Sequence, residues 1–252
     1  MTETIQSLAP WFYEFDLGPL GRTPSMLPPD VQPIHATRLA MVNTAIDRHF
    51  TPGRLAQISC LDIACHEGFY SVEMAKRGIP HVLGVDVRED SLHKARFVGK
   101  ALGLQGLEFR LSNAEQIKPE TFGSFELTLF LGLLYHLENP MLCLRNAAAV
   151  TTEMCVLETQ VIDEVEGETE WGASEWKRKY HGVLAIIDET PEFKQHNRET
   201  GATPLATCPS RTGLVTMLKH AGFPRVEFIA PPPQAYEQLA RGKRVVCAAY
   251  KT

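Results

Sequence analysis

The chain has 252 residues, 44% of them hydrophobic and 22% charged, with a formal net charge of −5. These proportions are those of a globular protein with a sizeable core, and the negative balance argues against a broad surface for nucleic acid. No apolar run approaches the length of a membrane span, and the first residues lack the features of a secretory signal, so a cytoplasmic protein is expected. The six cysteines are scattered without a C-x-x-C pair, which predicts neither a disulfide framework nor a structural zinc site.

The first 53 residues differ from the rest of the chain and predict a cap made of an arm and a helix. Residues 8–30 are aromatic, then rich in Pro and Gly, and show no clean period, which is typical of an irregular arm. Apolar residues then recur at three- and four-residue steps between 34 and 50, which predicts a helix. The arm either covers a cleft, packs on the flank of a sheet, or contacts a partner subunit in a homodimer. Its aromatic residues are Trp11, Phe12, Tyr13 and Phe15.

From residue 54 to 252, short apolar runs alternate with segments of helical periodicity. The predicted strands are 57–64, 81–87, 107–113, 125–136 and 153–159, and the predicted helices are 69–78, 90–103 and 139–150. Strands separated by helices imply right-handed crossovers and a doubly wound, mostly parallel sheet. A last helix (210–223) precedes two strands (225–230 and 243–250) that predict an antiparallel C-terminal hairpin. The expected fold is therefore α/β and Rossmann-like, with a seven-stranded sheet.

The segment from Gln160 to Pro209 interrupts this alternation. It is long, polar and dotted with aromatic residues, which favours a lid or acceptor pocket over a disordered linker. Trp171 and Trp176 are expected to line that pocket or to anchor the lid. His181 and His196 are candidates for closing over the site, with ordinary surface positions as the alternative.

The stretch "LDIACHEGFY" at 61–70 predicts a strand that runs through a turn at Gly68 into a helix. In doubly wound folds, ligands bind outside the carboxyl ends of the strands, where Asp62 and Asp86 are both expected. A carboxylate at Asp86 can accept both ribose hydroxyls of an adenosine. The acids Asp62 and Glu67 would repel a pyrophosphate, and the glycines that a pyrophosphate needs are missing.

A ligand with a cationic centre, an amino-acid group and an adenosine fits these residues better, and S-adenosylmethionine is such a ligand. Asn113 and Ala114 follow the third strand, where they would meet the adenine edge. The alternative is that Asp62 caps the helix and Asp86 is a turn residue.

The segments "GVDVREDSLHKAR", "LSNAEQI" and "FLGLLYHLENP", following the 61–70 loop in this order, resemble the motifs of class I S-adenosylmethionine-dependent methyltransferases. The likeness spans Leu55 to Thr159, and the closing strands extend it. "LGLLYHLENP" followed by "CVLETQVID" is similar to the branch that contains tRNA wobble-uridine carboxymethyltransferases and related small-molecule methyltransferases. The segment before Pro209 lacks the Tyr and Arg of the carboxymethyl-transferring members, which disfavours a carboxylated cofactor.

The resemblance also implies roles for individual residues around S-adenosylmethionine. The loop beside the methionine part would be formed by Asp62, Ala64, Cys65, His66 and Gly68. The nucleoside would be held by Asp86, Val87, Asn113 and Ala114, and the methionine amino group by the carbonyl of Leu131. Two loop positions where the family usually has glycine are Ala64 and His66 here, and the pattern does not explain His66.

Three residues near the expected methyl position are candidates for catalysis. His136 is the candidate base, since an oxygen or nitrogen acceptor needs one near pH 7; the alternative is a helix-start residue bonded to backbone. Tyr135 would orient the sulfonium or the acceptor, or simply pack. Glu158 is a second candidate base or hydrogen-bonding group. No spaced acidic set for a metal is evident.

The sequence therefore predicts a methyltransferase that acts on an oxygen of a small-molecule acceptor. A tRNA-modifying transferase and a non-catalytic cofactor-binding protein are the alternatives.

Overall fold

The computed structural model describes residues 3–169, 177–192, 200–201 and 203–252. Within them the strands are β1 (Ser59–Ile63), β2 (His81–Asp86), β3 (Leu107–Leu111), β4 (Phe125–Leu131), β5 (Thr151–Gln160), β6 (Glu166–Thr169), β7 (Arg178–His181), β8 (Leu184–Asp188), β9 (Leu205–Pro209), β10 (Arg225–Ile229) and β11 (Arg244–Tyr250). The helices are α1 (Pro33–Asp47), α2 (Pro52–Leu55), α3 (Phe69–Lys76), α4 (Glu89–Ala101), α5 (Pro119–Phe122), α6 (Pro140–Val150), α7 (Arg211–Ala221) and α8 (Glu237–Ala240). None of these helices is both long and apolar enough to cross a bilayer.

The central sheet has seven strands in the order β3-β2-β1-β4-β5-β11-β10. Neighbours from β3 to β5 run parallel, whereas β11 is antiparallel to both β5 and β10. The order reverses at β1, where one connection leads to β2 on one side and later strands add on the other. This arrangement confirms the predicted Rossmann-like sheet and its antiparallel C-terminal hairpin.

Successive residues of each central strand enter two different cores, because side chains alternate across a sheet. In β1, Cys60 belongs to the core beneath α1 and α3, and Leu61 to the core beneath α6 and α7. With both faces covered, the central strands are apolar along most of their length. This is why these strands could be predicted from the sequence.

The N-terminal arm lies against α3 and α4. Trp11, Tyr13 and Phe15 are buried there, in a cluster that includes Val72 and Val98. Phe12 is only partly buried: it packs against the edge of this cluster and also against the ring of His66, with 5.1 Å between the ring centroids. The arm therefore packs on the helices that flank the sheet and turns one aromatic ring toward the strand ends.

No strands were predicted in the insert, but much of its described part is paired backbone. β6 pairs with β7, and β8 pairs with β9, each antiparallel. β9 packs against the short 3₁₀ turn Leu134–His136, and the Thr207 hydroxyl donates to the Leu137 carbonyl at 3.0 Å. The predicted pocket residues Trp171, Trp176 and His196 lie outside the described residues.

The fourth strand was also predicted too long. It ends at Leu131, because Gly132 has a φ of 71° and the chain then enters the 3₁₀ turn. An added Cβ at Gly132 would lie 3.0 Å from the Arg38 guanidinium. The break in the strand therefore brings the backbone close to a buried arginine of α1.

Candidate active site

A cleft opens at the carboxyl ends of β1, β2 and β4, at the point where the strand order reverses. The predicted site residues that line it are Ala64, His66, Asp86, Val87, Asn113, Ala114, Leu131, Tyr135 and His136. Four others lie behind the lining: Asp62, Cys65, Gly68 and Glu158. The parallel register explains the grouping, since Ile63 lies beside Val85 and the strands end together.

The loop after β1 carries three residues with left-handed backbone. Ala64 has a φ of 61°, His66 of 53° and Gly68 of 79°, and only glycine adopts this region without strain. An added Cβ at Gly68 would lie 2.8 Å from the Phe109 ring. The loop thus keeps its glycine where packing leaves no room and holds two larger residues in an unfavourable conformation.

His66 is explained by two contacts. Its backbone N–H donates to Asp86 Oδ2 at 2.9 Å, and its ring packs against Phe12 and Tyr13 of the arm, with centroid separations of 5.1 and 5.8 Å. A glycine here would keep the first contact and lose the second. The side chain of His66 therefore joins the loop to the arm.

Asp86 is fixed at the end of β2 by backbone donors. Oδ2 accepts from His66, and Oδ1 accepts from the Arg88 N–H at 2.9 Å. The carboxylate is 4% exposed and lines the cleft. Each oxygen keeps a lone pair that can accept a further hydrogen bond, so the group is pre-organised for a ligand that presents two donors.

Asp62 faces the start of α3. Its Oδ2 accepts from the Ser71 hydroxyl at 2.6 Å, and burial raises the pKa of its carboxyl to about 6 against the opposing hydrogen bonds from Ser71. The neighbouring Cys65 thiol is also buried, and burial raises its pKa well above the ordinary value. Both side chains support the loop from behind the cleft, which favours the helix-capping alternative for Asp62.

At the far end of the cleft, Val87 is an exposed apolar side chain, 48% accessible. The Asn113 side chain accepts from the Glu115 N–H at 3.0 Å and so starts the 3₁₀ turn 114–116. The Ala114 carbonyl accepts from Asn146 at 3.0 Å. This end offers an apolar surface beside a fixed polar edge, as a flat heterocycle requires.

At the near end, the 3₁₀ turn presents Tyr135 and His136, whose rings lie 4.2 Å apart. The turn is held from the insert, where an added Cβ at Gly201 would lie 2.6 Å from the His136 carbonyl oxygen. The insert therefore packs closely against the backbone of His136, a residue that lines the cleft.

A buried ion cluster lies behind this turn. The Glu158 carboxylate pairs with Arg38 at 2.6 Å and with Arg244 at 2.7 Å, and Arg244 donates to the Tyr135 hydroxyl at 3.1 Å. Burial alone would raise the pKa of Glu158, but Arg244 and Arg38 outweigh it and hold that pKa below its ordinary value. A carboxylate held in this way is a poor base, so the placement favours a structural role for Glu158.

Arg38 and Phe12 line the cleft and were not singled out as cofactor-binding or catalytic residues from the sequence. Arg38 had a signal, because it lies on the buried stripe of α1 one turn from Ile34 and Val42. A charged residue on such a stripe indicates a buried partner. The sequence signal for Phe12 was weaker: it lies between Trp11 and Tyr13 in the aromatic part of the arm.

A second cavity, of about 530 Å³, adjoins the cleft at this turn. It shares Phe12, Arg38, Tyr135 and His136 with the cleft. These four residues thus form the partition between the two spaces. Among the described residues, no group of three or more His, Cys, Asp or Glu side chains is placed to hold a metal ion.

The fold and the cleft at its switch point are those of class I S-adenosylmethionine-dependent methyltransferases. A family described as "Methyltransferase domain" matches residues 56–201, more than half of the chain. The chain belongs to this family, and S-adenosylmethionine is its cofactor. The pre-organised Asp86 carboxylate and the exposed Val87 beside it fit the ribose and adenine of that molecule.

Two similar curated proteins are both called ubiquinone biosynthesis O-methyltransferase. The one from Acinetobacter baylyi (strain ATCC 33305 / BD413 / ADP1) is 29% identical over 111 residues, which cover 44% of this chain and 45% of that protein. The one from Hahella chejuensis (strain KCTC 2396) is 27% identical over 121 residues, 48% of each. The chain thus spans about half the length of the curated relatives it matches.

Solved structures resemble the chain over nearly its whole length. The N-terminal domain of EvdMO1, crystallised in the presence of SAH and D-fucose, has a TM-score of 0.68 at 22% identity and covers 98% of this chain and 93% of its own. Magnesium protoporphyrin IX methyltransferase (ChlM) from Synechocystis PCC 6803, with SAM bound, has a TM-score of 0.59 at 14% identity, covering 91% and 86%. At these identities the likeness shows the fold.

Proposed function

We propose that the protein transfers the methyl group of S-adenosylmethionine to a hydroxyl oxygen of a small molecule that binds in the second cavity. The observation that carries this proposal is the partition. His136 and Tyr135 line both the cofactor cleft and the second cavity. A cofactor in the cleft and an acceptor in the second cavity would therefore both lie next to these two residues.

The cofactor would lie along the cleft. Asp86 would accept the ribose hydroxyls, Val87 would flank the adenine, and Asn113 and Ala114 would meet the adenine edge. The methionine part would lie by the loop at Ala64 and His66, with its amino group near the Leu131 carbonyl. When bound, S-adenosylmethionine would supply a methyl group on a positively charged sulfur: the acceptor oxygen would bond to the methyl carbon in line as the carbon–sulfur bond breaks, and S-adenosylhomocysteine would leave with that electron pair.

His136 would remove the proton from the acceptor hydroxyl at its imidazole, since an alcohol or phenol oxygen becomes a stronger nucleophile on losing its proton. Tyr135 would orient the acceptor, because Arg244 fixes its hydroxyl. Glu158 would keep Arg38 and Arg244 in place. Most of the catalytic effect would come from holding donor and acceptor aligned at about 3–3.5 Å.

The comparisons support an oxygen acceptor of small size. The curated relatives are named as O-methyltransferases, although they match over about half their length. The EvdMO1 domain was crystallised with SAH and a sugar, D-fucose.

Replacement of His136 tests the proposal. His136→Gln keeps a hydrogen-bonding group of similar reach and removes the base, so turnover should fall about 10²- to 10⁴-fold while S-adenosylmethionine affinity stays unchanged. His220→Gln, at an exposed histidine of α7, is the matched control. Full turnover in His136→Gln would remove His136 as the base, and absence of methyl transfer by the wild-type protein to any hydroxylated compound would refute the function.

A further inference from the structure

Three residues that line the second cavity carry buried polar atoms for which the described residues provide no hydrogen-bond partner. Neither ring nitrogen of His35 makes a hydrogen bond of normal geometry within the described residues, nor does Glu189 Oε2 or Arg38 Nε. The three residues are 8%, 9% and 6% exposed, and all line this cavity. Buried polar groups are normally paired, because an unpaired one loses its hydration without compensation. A group of unpaired atoms around one cavity therefore indicates a polar ligand.

Together these groups offer both hydrogen-bond donors and hydrogen-bond acceptors. Burial lowers the pKa of His35 to about 3, and Arg38 and His66 act in the same direction; the backbone of Phe12 opposes them weakly. The ring is therefore neutral near pH 7 and presents one N–H and one bare nitrogen. Glu189 can only accept, and the Arg38 Nε can only donate. Hydroxyl groups, which both donate and accept, match such a mixture.

The buried charges around the cavity balance. Arg38 and Arg244 both line it, and both pair with Glu158. Glu189 adds a second buried carboxylate to offset the second guanidinium, and Asp188, which is exposed, adds a carboxylate at the cavity surface. An anionic acceptor would face Glu189 and a cationic one the two arginines, so a neutral molecule fits best. Two amide side chains, Gln160 and Gln238, also line the cavity and add further neutral hydrogen-bonding groups.

We propose that the second cavity selects a neutral acceptor with several hydroxyl groups, and that His35 and Glu189 bind hydroxyls other than the one that is methylated. This inference rests on the proposed function, since it names the substrate class of the same site. The apolar side chains on the cavity wall, among them Leu27, Val31 and Ile34, would contact the carbon skeleton of a ring-shaped polyol.

The test uses the full chain saturated with SAH. Binding of D-glucose, other free hexoses, 6-deoxyhexoses and myo-inositol is measured by saturation-transfer NMR and calorimetry, with catechol as a planar phenol for comparison. His35→Phe keeps an aromatic ring beside Phe12 and Tyr13 and removes both nitrogens, and Glu189→Gln keeps the side-chain shape. His35→Gln restores a donor and an acceptor. His81→Phe, at the exposed start of β2 on the opposite edge of the sheet, is the matched control.

We expect at least one polyol to bind, and His35→Phe and Glu189→Gln each to weaken it by about tenfold or more, with part of the affinity restored in His35→Gln and none lost in His81→Phe. SAH affinity should be the same in all variants. If His35 had only a structural role, its replacement would disturb the adjoining cleft and change SAH affinity as well. Tighter binding of catechol than of any polyol, unchanged by His35→Phe, would overturn the inference. Failure of every polyol to bind the SAH-loaded protein would overturn it too and leave the proposed function standing, whereas failure of SAH itself to bind would remove both.

Discussion

Glu158 and Arg38 form a buried ion pair of 2.6 Å between β5 and α1, with side chains 0% and 7% exposed. Arg244 pairs with the other carboxylate oxygen. The cluster links the N-terminal helix, the middle of the sheet and the last strand behind the 3₁₀ turn that carries Tyr135 and His136. Its integrity should therefore affect both stability and the partition between the two cavities.

Glu158→Gln removes the charge that both arginines share. Breaking a buried pair from one side leaves an uncompensated charge, so the free energy of unfolding should fall by about 3–5 kcal/mol. Urea denaturation measures it. Glu14→Gln breaks the exposed pair with Arg22 and should cost less than about 1 kcal/mol. Equal losses in the two variants would contradict the structural role assigned to Glu158.

Gly68→Ala tests the packing of the cofactor loop. The position combines a φ of 79° with an added Cβ only 2.8 Å from Phe109. Gly103 also has a positive φ, 63°, but nothing lies within 4 Å of its added Cβ. Gly68→Ala should therefore be the more destabilising by about 1–3 kcal/mol, the usual cost of overpacking, and should weaken S-adenosylmethionine binding. Similar midpoints in thermal unfolding for both variants would show that backbone conformation alone matters.

Asp62 gives the stability a pH dependence. Its pKa rises from 3.8 to about 6 on folding, so folding favours the protonated form. The contribution of Asp62 to the free energy of unfolding is fully present below pH 3.8 and is lost as the pH rises through 6. A shift of this size corresponds to about 3 kcal/mol.

Asp62→Asn should therefore gain stability relative to the wild type across this window and keep the gain at neutral pH, in cofactor-free protein. Unfolding by urea at a series of pH values follows the difference. Asp47→Asn, at an exposed carboxylate that pairs with Arg77, is the surface control. A constant difference between Asp62→Asn and wild type at every pH would contradict the raised pKa.

Glu67 connects the arm to the cofactor loop. Its buried carboxylate accepts from the N–H groups of Phe12 and Tyr13 and pairs with Lys94 at 2.8 Å. Glu67→Gln removes charge-assisted hydrogen bonds worth about 1.5–3 kcal/mol, so amide exchange at Phe12 and Tyr13 should accelerate about tenfold or more. Hydrogen–deuterium exchange measures it, with Glu3→Gln at an exposed pair as the control. Unchanged exchange at these two amides would show that the arm is held by its aromatic contacts alone.

The sequence predicted those features that depend on local pattern. Strands covered on both faces are apolar runs, so β1, β2, β4 and β5 were found within a few residues. Asp86 and Asn113 were placed correctly at one edge because parallel strands end together. The hairpins of the insert were missed, since strands such as β7 and β8 are largely exposed and carry no strong alternation.

Features that depend on long-range contacts could not be predicted. The Arg38–Glu158 pair joins two elements far apart in the chain, and nothing local to Glu158 indicates that arginines surround it. The left-handed backbone of Ala64 and His66 is likewise invisible in a sequence where neither position is glycine. His66 has a reason only once the arm is seen against it.

The most direct test of the account is calorimetric titration of the full chain with S-adenosylmethionine, in the wild type and in Asp86→Ala. Asp86 is held by two backbone N–H groups at the edge of the cleft, and loss of its bonds to the ribose should weaken binding by about tenfold or more. Asp163→Ala, at an exposed carboxylate, should bind like the wild type. We predict one-site binding that Asp86→Ala weakens; no binding to the wild type, or equal affinity in Asp86→Ala, would contradict the assignment of this cleft as the cofactor site.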